Sequence, residues 1–446
     1  MQATSEATSQ VIVSSAAQPR VAASRRQVAA VVVGNTLEVY DFLIYAYFAV
    51  HIGRTFFPSE DATSSLLASL ATFGAGFITR PLGAVVIGRL ADRVGRKPAM
   101  VLSFGLMGVA ILGLALTPSY AAIGIAAPCI VIVFRLLQGF ALGGELGPST
   151  TYLLEAAPPH RRGLYVSFQY VGQACASLIA GVMGVLLATV MGEAALETTG
   201  WRIAMLTGAL IIPVGLLLRR SLAETLHLQE PAHLQPAVDP SQASRLRIAV
   251  LALVMLSAGT TVTYVFKYLT TYAITTLHMP ARVAFAAPVI GGFASLCISP
   301  LGGALSDRIG RKPLMTWPWI CLLVGILPGF YAIAHYRTPA VLFTVSAILI
   351  MCGAFAASSI LTAITESLPK QVRSATLSLV YAVAISIFGG SAQFNVAWLT
   401  RALGTEMAPA WYLAIAVALG LIAIVAMPET APAKLAKIKA RAGISG

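Results

Sequence analysis

Six charged side chains interrupt long apolar stretches of this sequence: Glu38, Asp41, Arg80, Arg135, Glu145 and Lys267. A charge at the centre of a hydrocarbon layer costs ~2.5–3.5 kcal/mol even on the mildest insertion scale, so charges there mark the positions where chemistry is expected. Asn35, Glu38, Asp41 and Tyr45 fall at i, i+3, i+6 and i+10, on one face of a helix. Two carboxylates one turn apart repel each other, and such a pair suits the loading and release of a proton. The alternative is a static bridge to an arginine. The six histidines, at 51, 160, 227, 233, 278 and 335, fall in loops or at the ends of apolar stretches, so the carboxylates are the expected proton carriers.

The cations point to an anion. Arg135 shares a face with Gln138 and Glu145, and its planar fork matches a carboxylate through two parallel hydrogen bonds. It is placed either against substrate or against Glu38 or Asp41. Arg80 precedes Asp92 by twelve residues, about 18 Å of helix, and either binds an anion or bridges two helix bundles. Lys267 has Tyr264 and Thr271 on its own face, and lies too deep in its stretch to reach the interface easily. Glu145 reads as a gate or packing residue. Uncharged Gln169, Gln173 and Tyr381 either touch substrate or join helices to one another.

The elements that must hold these residues are membrane helices. Of 446 residues, 57% are hydrophobic and 11% charged, far below the quarter usual in soluble domains. Mean hydropathy is +0.81. Twelve spans are predicted, at 28–50, 63–88, 99–117, 122–154, 163–190, 202–219, 247–277, 283–304, 313–334, 340–365, 374–400 and 408–427. Each can cross ~30 Å of hydrocarbon. With both termini in the cytoplasm, the inner segments hold 22 of the 30 Lys and Arg, and the outer loops hold Arg54, Arg202, Arg282, Arg337 and Arg401. This bias fixes the orientation and accounts for the net charge of +13, which therefore signals topology and no nucleic-acid partner. The five cysteines lie inside apolar spans without CxxC spacing and are expected to be packing residues, with no metal. The expected organisation is a cytoplasmic tail 1–27, a six-helix bundle 28–219, a linker 220–246, a second bundle 247–428 and a tail 429–446.

The two bundles are copies. GRLADRVGRKP at 88–98 and GALSDRIGRKP at 303–313 agree at eight of eleven positions, offset by 215. Glu155 and Glu366 repeat at an offset of 211, as do Arg162 and Arg373. Such duplication is a mark of secondary transporters. Gly88 and Gly303 are expected to permit close helix crossings. Asp92 and Asp307 are expected to pair with arginine or with a helix N-terminus, within a gate formed by Arg93, Gly95, Arg96, Arg308, Gly310, Arg311, Glu155, Glu366 and Arg373.

Two six-span repeats carrying this loop motif resemble the major facilitator superfamily. Gly34-Asn35-x-x-Glu38-x-Tyr40-Asp41-Phe42, Arg80-Pro81-x-Gly83, Arg135-x-x-Gln138-Gly139 with Gly144-Glu145-x-Gly147, and Ile387-Phe388-Gly389-Gly390 together resemble its metabolite:proton symporters, and among these the citrate and tricarballylate carriers. The resemblance implies uptake of an organic acid with protons by a functional monomer in a bacterial inner membrane. A sodium gradient is the alternative drive. Two departures lie where substrate would touch. Ser391, Ala392, Gln393 and Asn395 follow Gly390 where the family often has proline, and Lys267 stands where an uncharged residue is expected. Betaine or proline uptake and drug efflux are weaker readings, because the cations favour an anion. No Ser-His-Asp pattern, HExxH, P-loop or dinucleotide fingerprint is present, so neither an enzyme nor a nucleotide-driven pump is expected, and no cofactor.

Overall fold

The computed structural model describes residues 25–94, 96–143, 146–210, 213, 242–369, 373–432 and 434. The linker at 220–246 falls largely outside these residues, as do Gly95 and Glu145 and the side chains of Asp92 and Arg96. The described residues are helical throughout, with no strand. Nine helices among them are long and apolar enough to cross a membrane, and two shorter apolar helices span Val101–Leu116 and Ala126–Ala141.

Local chemistry sets where the helices start and break. Asp61 begins helix Ala62–Ile78 by accepting from the N–H groups of Thr63 and Ser64 at 3.0 and 3.2 Å, the usual N-cap arrangement. That span breaks at Thr79, just ahead of Arg80 and Pro81, whose ring cannot donate into the preceding turn. Thr79 donates instead to the Leu136 carbonyl at 2.6 Å, which ties the break to helix Ala126–Ala141. Between helices Arg373–Ala384 and Gly390–Leu403 lies one wide π turn, Ile385–Gly389, which holds the first three residues of the Ile-Phe-Gly-Gly motif. Such turns are rare and concentrate at functional sites.

Two apolar cores form. One is built mainly from residues before 211, around Tyr45, Phe73, Phe77 and Trp201. The other is built mainly from residues after 241, around Tyr268, Trp319, Phe330 and Ile364. We call these stretches the N-terminal and C-terminal halves. Their most extensive seam joins helix Arg162–Val190 to helix Ala281–Ile309. It can run close because Gly163 faces Gly303, and a Cβ on either would collide with backbone of the other.

Two expectations from the sequence do not hold. A Cβ on Gly88 would meet nothing within 4 Å, so the crossing seen at Gly303 has no counterpart there. The repeat is symmetric in sequence, and its C-terminal copy is packed into the seam at Gly303. Cys129, Cys297 and Cys321 are exposed and do not pack inside the protein, while Cys175 and Cys352 are partly covered.

Candidate functional site

A cavity of about 180 Å³ lies between the halves. Helix Gln242–Thr275 contributes most of one wall, with Met255, Leu256, Gly259, Thr260, Tyr264 and Lys267. Tyr47, Tyr170, Gln173 and Ser177 enter from the N-terminal half, and Tyr381 from the helix before the π turn. Lys267 is the one charged residue in this described lining. Its Nζ lies 4.4 Å from the centroid of the Tyr264 ring, a cation–π distance. Gly389 of the π turn allows this placement, since a Cβ there would lie 3.0 Å from the same ring. Lys267, Tyr264 and Tyr381 thus meet at one place, as do Thr260 and Gln173.

The other expected site residues gather outside the lining. Arg135 is fully buried, donates to the Gln138 carboxamide at 2.6 Å and to the Phe73 carbonyl at 3.2 Å. It lies over the rings of Phe42, Tyr45 and Phe73. Gln138 in turn donates to Asp41. The result is a relay Arg135–Gln138–Asp41 sealed in the N-terminal half. One oxygen of Asp41 and the Nε of Arg135 have no hydrogen-bond partner, an unusual state for buried polar atoms. Asn35 donates to the Gln169 carbonyl at 2.7 Å, so this pair joins two helices. Gln169 and Gln173 are one turn apart, yet only Gln173 reaches the cavity.

Arg80 lies between the two groups. Its guanidinium stacks 4.7 Å from Phe42 and 4.5 Å from Phe77. It is close enough to Lys267, Tyr264 and Tyr381 to act on each electrostatically. Glu38 is buried and lies within similar reach of Tyr381.

Contacts between the halves lie on both sides of the cavity. On the side of the duplicated motif, Asp307 accepts from the N–H groups of Gly163 and Leu164 at 2.8 and 3.0 Å, where helix Arg162–Val190 begins. A carboxylate there is favoured by the helix dipole. Arg311, fully buried, pairs with Asp307 at 2.7 Å and with Glu366 at 3.3 Å. Arg162 approaches Glu366 at 3.8 Å, and Arg373 pairs with Glu155 at 3.2 Å. Gly310 turns the chain between Asp307 and Arg311 with φ +117°, a region that favours glycine. Arg308 and Arg93 are exposed and take no part in these contacts. At the opposite end Arg401 pairs with Asp61 at 2.9 Å, and Phe48 and His51 pack on Phe285 with centroids 4.6 and 6.2 Å apart.

Several of these residues escape sequence reasoning. Glu429 accepts from the N–H groups of Arg311 and Lys312 at 2.8 and 3.3 Å, supplying the cap that Gly310 cannot. Thr430 donates to Glu366 at 2.8 Å. Tyr47 and Ser177, 2.8 Å apart, roof the cavity without any charge to single them out. The cap at Asp61 is legible in Asp-x-Thr-Ser, but its partner Arg401, 340 positions away in the chain, is not.

The profile of the Major Facilitator Superfamily matches residues 31–393. A citrate-proton symporter of Salmonella typhi is 36% identical over 398 residues, covering 87% of this chain and 91% of the relative. An alpha-ketoglutarate permease of Escherichia coli (strain K12) is 38% identical over 399 residues, covering 88% and 91%. A proline/betaine transporter of the same organism is 30% identical over 424 residues, covering 91% and 84%. Among solved structures, a D-xylose-proton symporter superposes with a TM-score of 0.73 at 18% identity, over 91% of this chain and 98% of that one, a likeness of fold. The chain, a multi-pass protein of the bacterial inner membrane, therefore belongs to the major facilitator superfamily and, within it, to the metabolite:proton symporters.

Proposed function

We propose that this protein imports small organic carboxylates, citrate-like tricarboxylates among them, by proton symport through alternating access. In this reading the chain has twelve spans with both termini in the cytoplasm, acts as a monomer and needs no cofactor. The observation that carries the proposal is Lys267 facing a cavity between the halves, with Arg80 near it and a separate Arg135–Gln138–Asp41 relay beside it. An anion at Lys267 compensates a cation that otherwise faces a largely apolar wall. Asp41, and Glu38 one turn away, are assigned to carry the proton. Arg135 is assigned to answer the change of charge on Asp41 through Gln138, and only indirectly to serve substrate. The relatives named for citrate and alpha-ketoglutarate support an organic acid. Betaine or proline is disfavoured, since the ammonium of either would be repelled beside Lys267.

The test is radiolabelled uptake into proteoliposomes holding the purified chain. Citrate and alpha-ketoglutarate are offered with an inward proton gradient, a sodium gradient or none. Accumulation driven by protons alone is expected. Accumulation driven by sodium alone would overturn the coupling assignment, and no accumulation of either acid would overturn the substrate assignment.

A further inference from the structure

The cavity is chemically two-ended. Lys267, Tyr264 and Tyr381 stand at one end, with the Arg80 guanidinium within electrostatic reach. Gly259 and Met255 lie eight and twelve residues earlier on the same helix, about 12 and 18 Å along its axis. There the wall is mainly apolar: Met255 and Leu256 are joined by Trp319, Ile350 and Leu361, with Thr260 beside Gly259 and Tyr170 packed against the same cluster, and Lys267 is the one charged residue of the described lining. Citrate carries carboxylates around its whole frame, so one of them would be driven into this apolar end without a cation, at a large desolvation cost.

We infer that the pocket selects carboxylates whose charges cluster at one end and whose other end is an apolar, ring-sized body, and that such acids bind more tightly than citrate. The charged end sits at Lys267, with hydroxyls of Tyr264 and Tyr381 beside it. The body lies between Met255, Leu256, Trp319 and Leu361. This specificity rests on the proposed organic-acid reading and narrows it. Ring burial at this end replaces ordered contacts to extra carboxylates as the source of affinity, since apolar area removed from water is favourable in proportion to its extent.

Gly259 supplies the variant that tests the idea. A Cβ there would meet nothing within 4 Å, so the backbone accepts a side chain that projects into the apolar end, and glycine to leucine also favours the helix. Calorimetric binding is measured on the purified full chain in nanodiscs, with empty nanodiscs as control. Succinate and phenylsuccinate form a pair that differs only in the ring, and citrate is the third ligand. Phenylsuccinate is expected to bind at least tenfold tighter than succinate or citrate. Gly259→Leu is expected to remove that advantage by weakening phenylsuccinate far more than succinate, and Lys267→Gln to weaken both acids at least tenfold. Equal affinity for the pair, or an advantage that survives Gly259→Leu, would overturn the inference. Proton-driven citrate uptake by the same preparation separates the two readings: if citrate accumulates while phenylsuccinate does not bind, only the selectivity fails. If no acid binds or accumulates, both fail.

Discussion

Gln138 stands between Arg135 and Asp41, accepting from the guanidinium through its carbonyl oxygen at 2.6 Å and donating to the carboxylate through its amide. A neutral side chain thereby links an acid and a base on separate helices, all three fully buried. On the proposed assignment, neutralising Asp41 should break coupling without emptying the cavity. Asp41→Asn should therefore abolish accumulation driven by a proton gradient while counterflow exchange of labelled acid continues. Counterflow and gradient-driven uptake, run on the same vesicles, check this; loss of both would assign Asp41 to the substrate path or to folding.

Cutting the link at its centre tests the relay itself. Gln138→Leu leaves a buried guanidinium and a buried carboxylate each short of a partner, at about 1–3 kcal/mol apiece. The thermal midpoint in detergent should fall by several degrees, and Arg135→Ala should abolish uptake with normal membrane insertion. Near-normal uptake by Arg135→Ala would remove Arg135 from the mechanism.

The bond from Asp307 to Gly163 and Leu164 crosses between halves and is charge-assisted, so its loss should shift the conformational equilibrium. Asp307→Asn keeps the shape but loses the charge that pairs with Arg311. A shift of about 1.5–3 kcal/mol is expected, toward states open on that side. Labelling of a cysteine introduced at the cavity's apolar end, by a thiol reagent supplied from that side, should accelerate at least tenfold.

The opposite latch should count for less. Arg401 and Asp61 are both about half exposed, and side-chain entropy and salt screening leave such ion pairs little net strength. Arg401→Ala should change uptake less than fivefold, and the small effect should shrink further in high salt. A complete loss of transport would show that Arg401 acts elsewhere.

Burial raises the Glu429 carboxyl, but the N–H groups of Ala431, Arg311 and Lys312 and the Lys434 ammonium outweigh it and hold it below the ordinary carboxylate range. A depressed acid contributes stability above its unfolded value and loses it as pH falls through the folded one. The clasp on Arg311 should therefore be unaffected by pH between 7 and about 5 and weaken only below about 4, within and beneath the usual glutamate range. Glu429→Gln should lower the thermal midpoint at neutral pH, and the difference from the parent should vanish in strong acid.

How much of this was legible depends on range. Lys267, Tyr264 and Thr260 share one helix, so their spacing alone brings them together, and the same holds for Arg135 with Gln138. The pairing of Asp307 with a helix N-terminus followed from the motif's chemistry, though the recipient helix did not. Tyr47, Ser177, Glu429 and the Arg401–Asp61 latch depend on how distant helices settle against each other, and no periodicity encodes that. Gly88 misled because duplication preserves residues without preserving neighbours.

The seam between helices Arg162–Val190 and Ala281–Ile309 has one more consequence. Gly163 and Gly303 bring backbone against backbone near Asp307, whereas Gly181 and Gly184 are notches that receive the side chains of Val289 and Phe285. Moving one half across the other must therefore draw these knobs from their notches as well as open the clasps at Asp307, Arg373 and Arg401. Neither knob nor notch lines the cavity. Substitutions that blunt Val289 or fill Gly181 should then tune how fast the carrier cycles without altering what it carries.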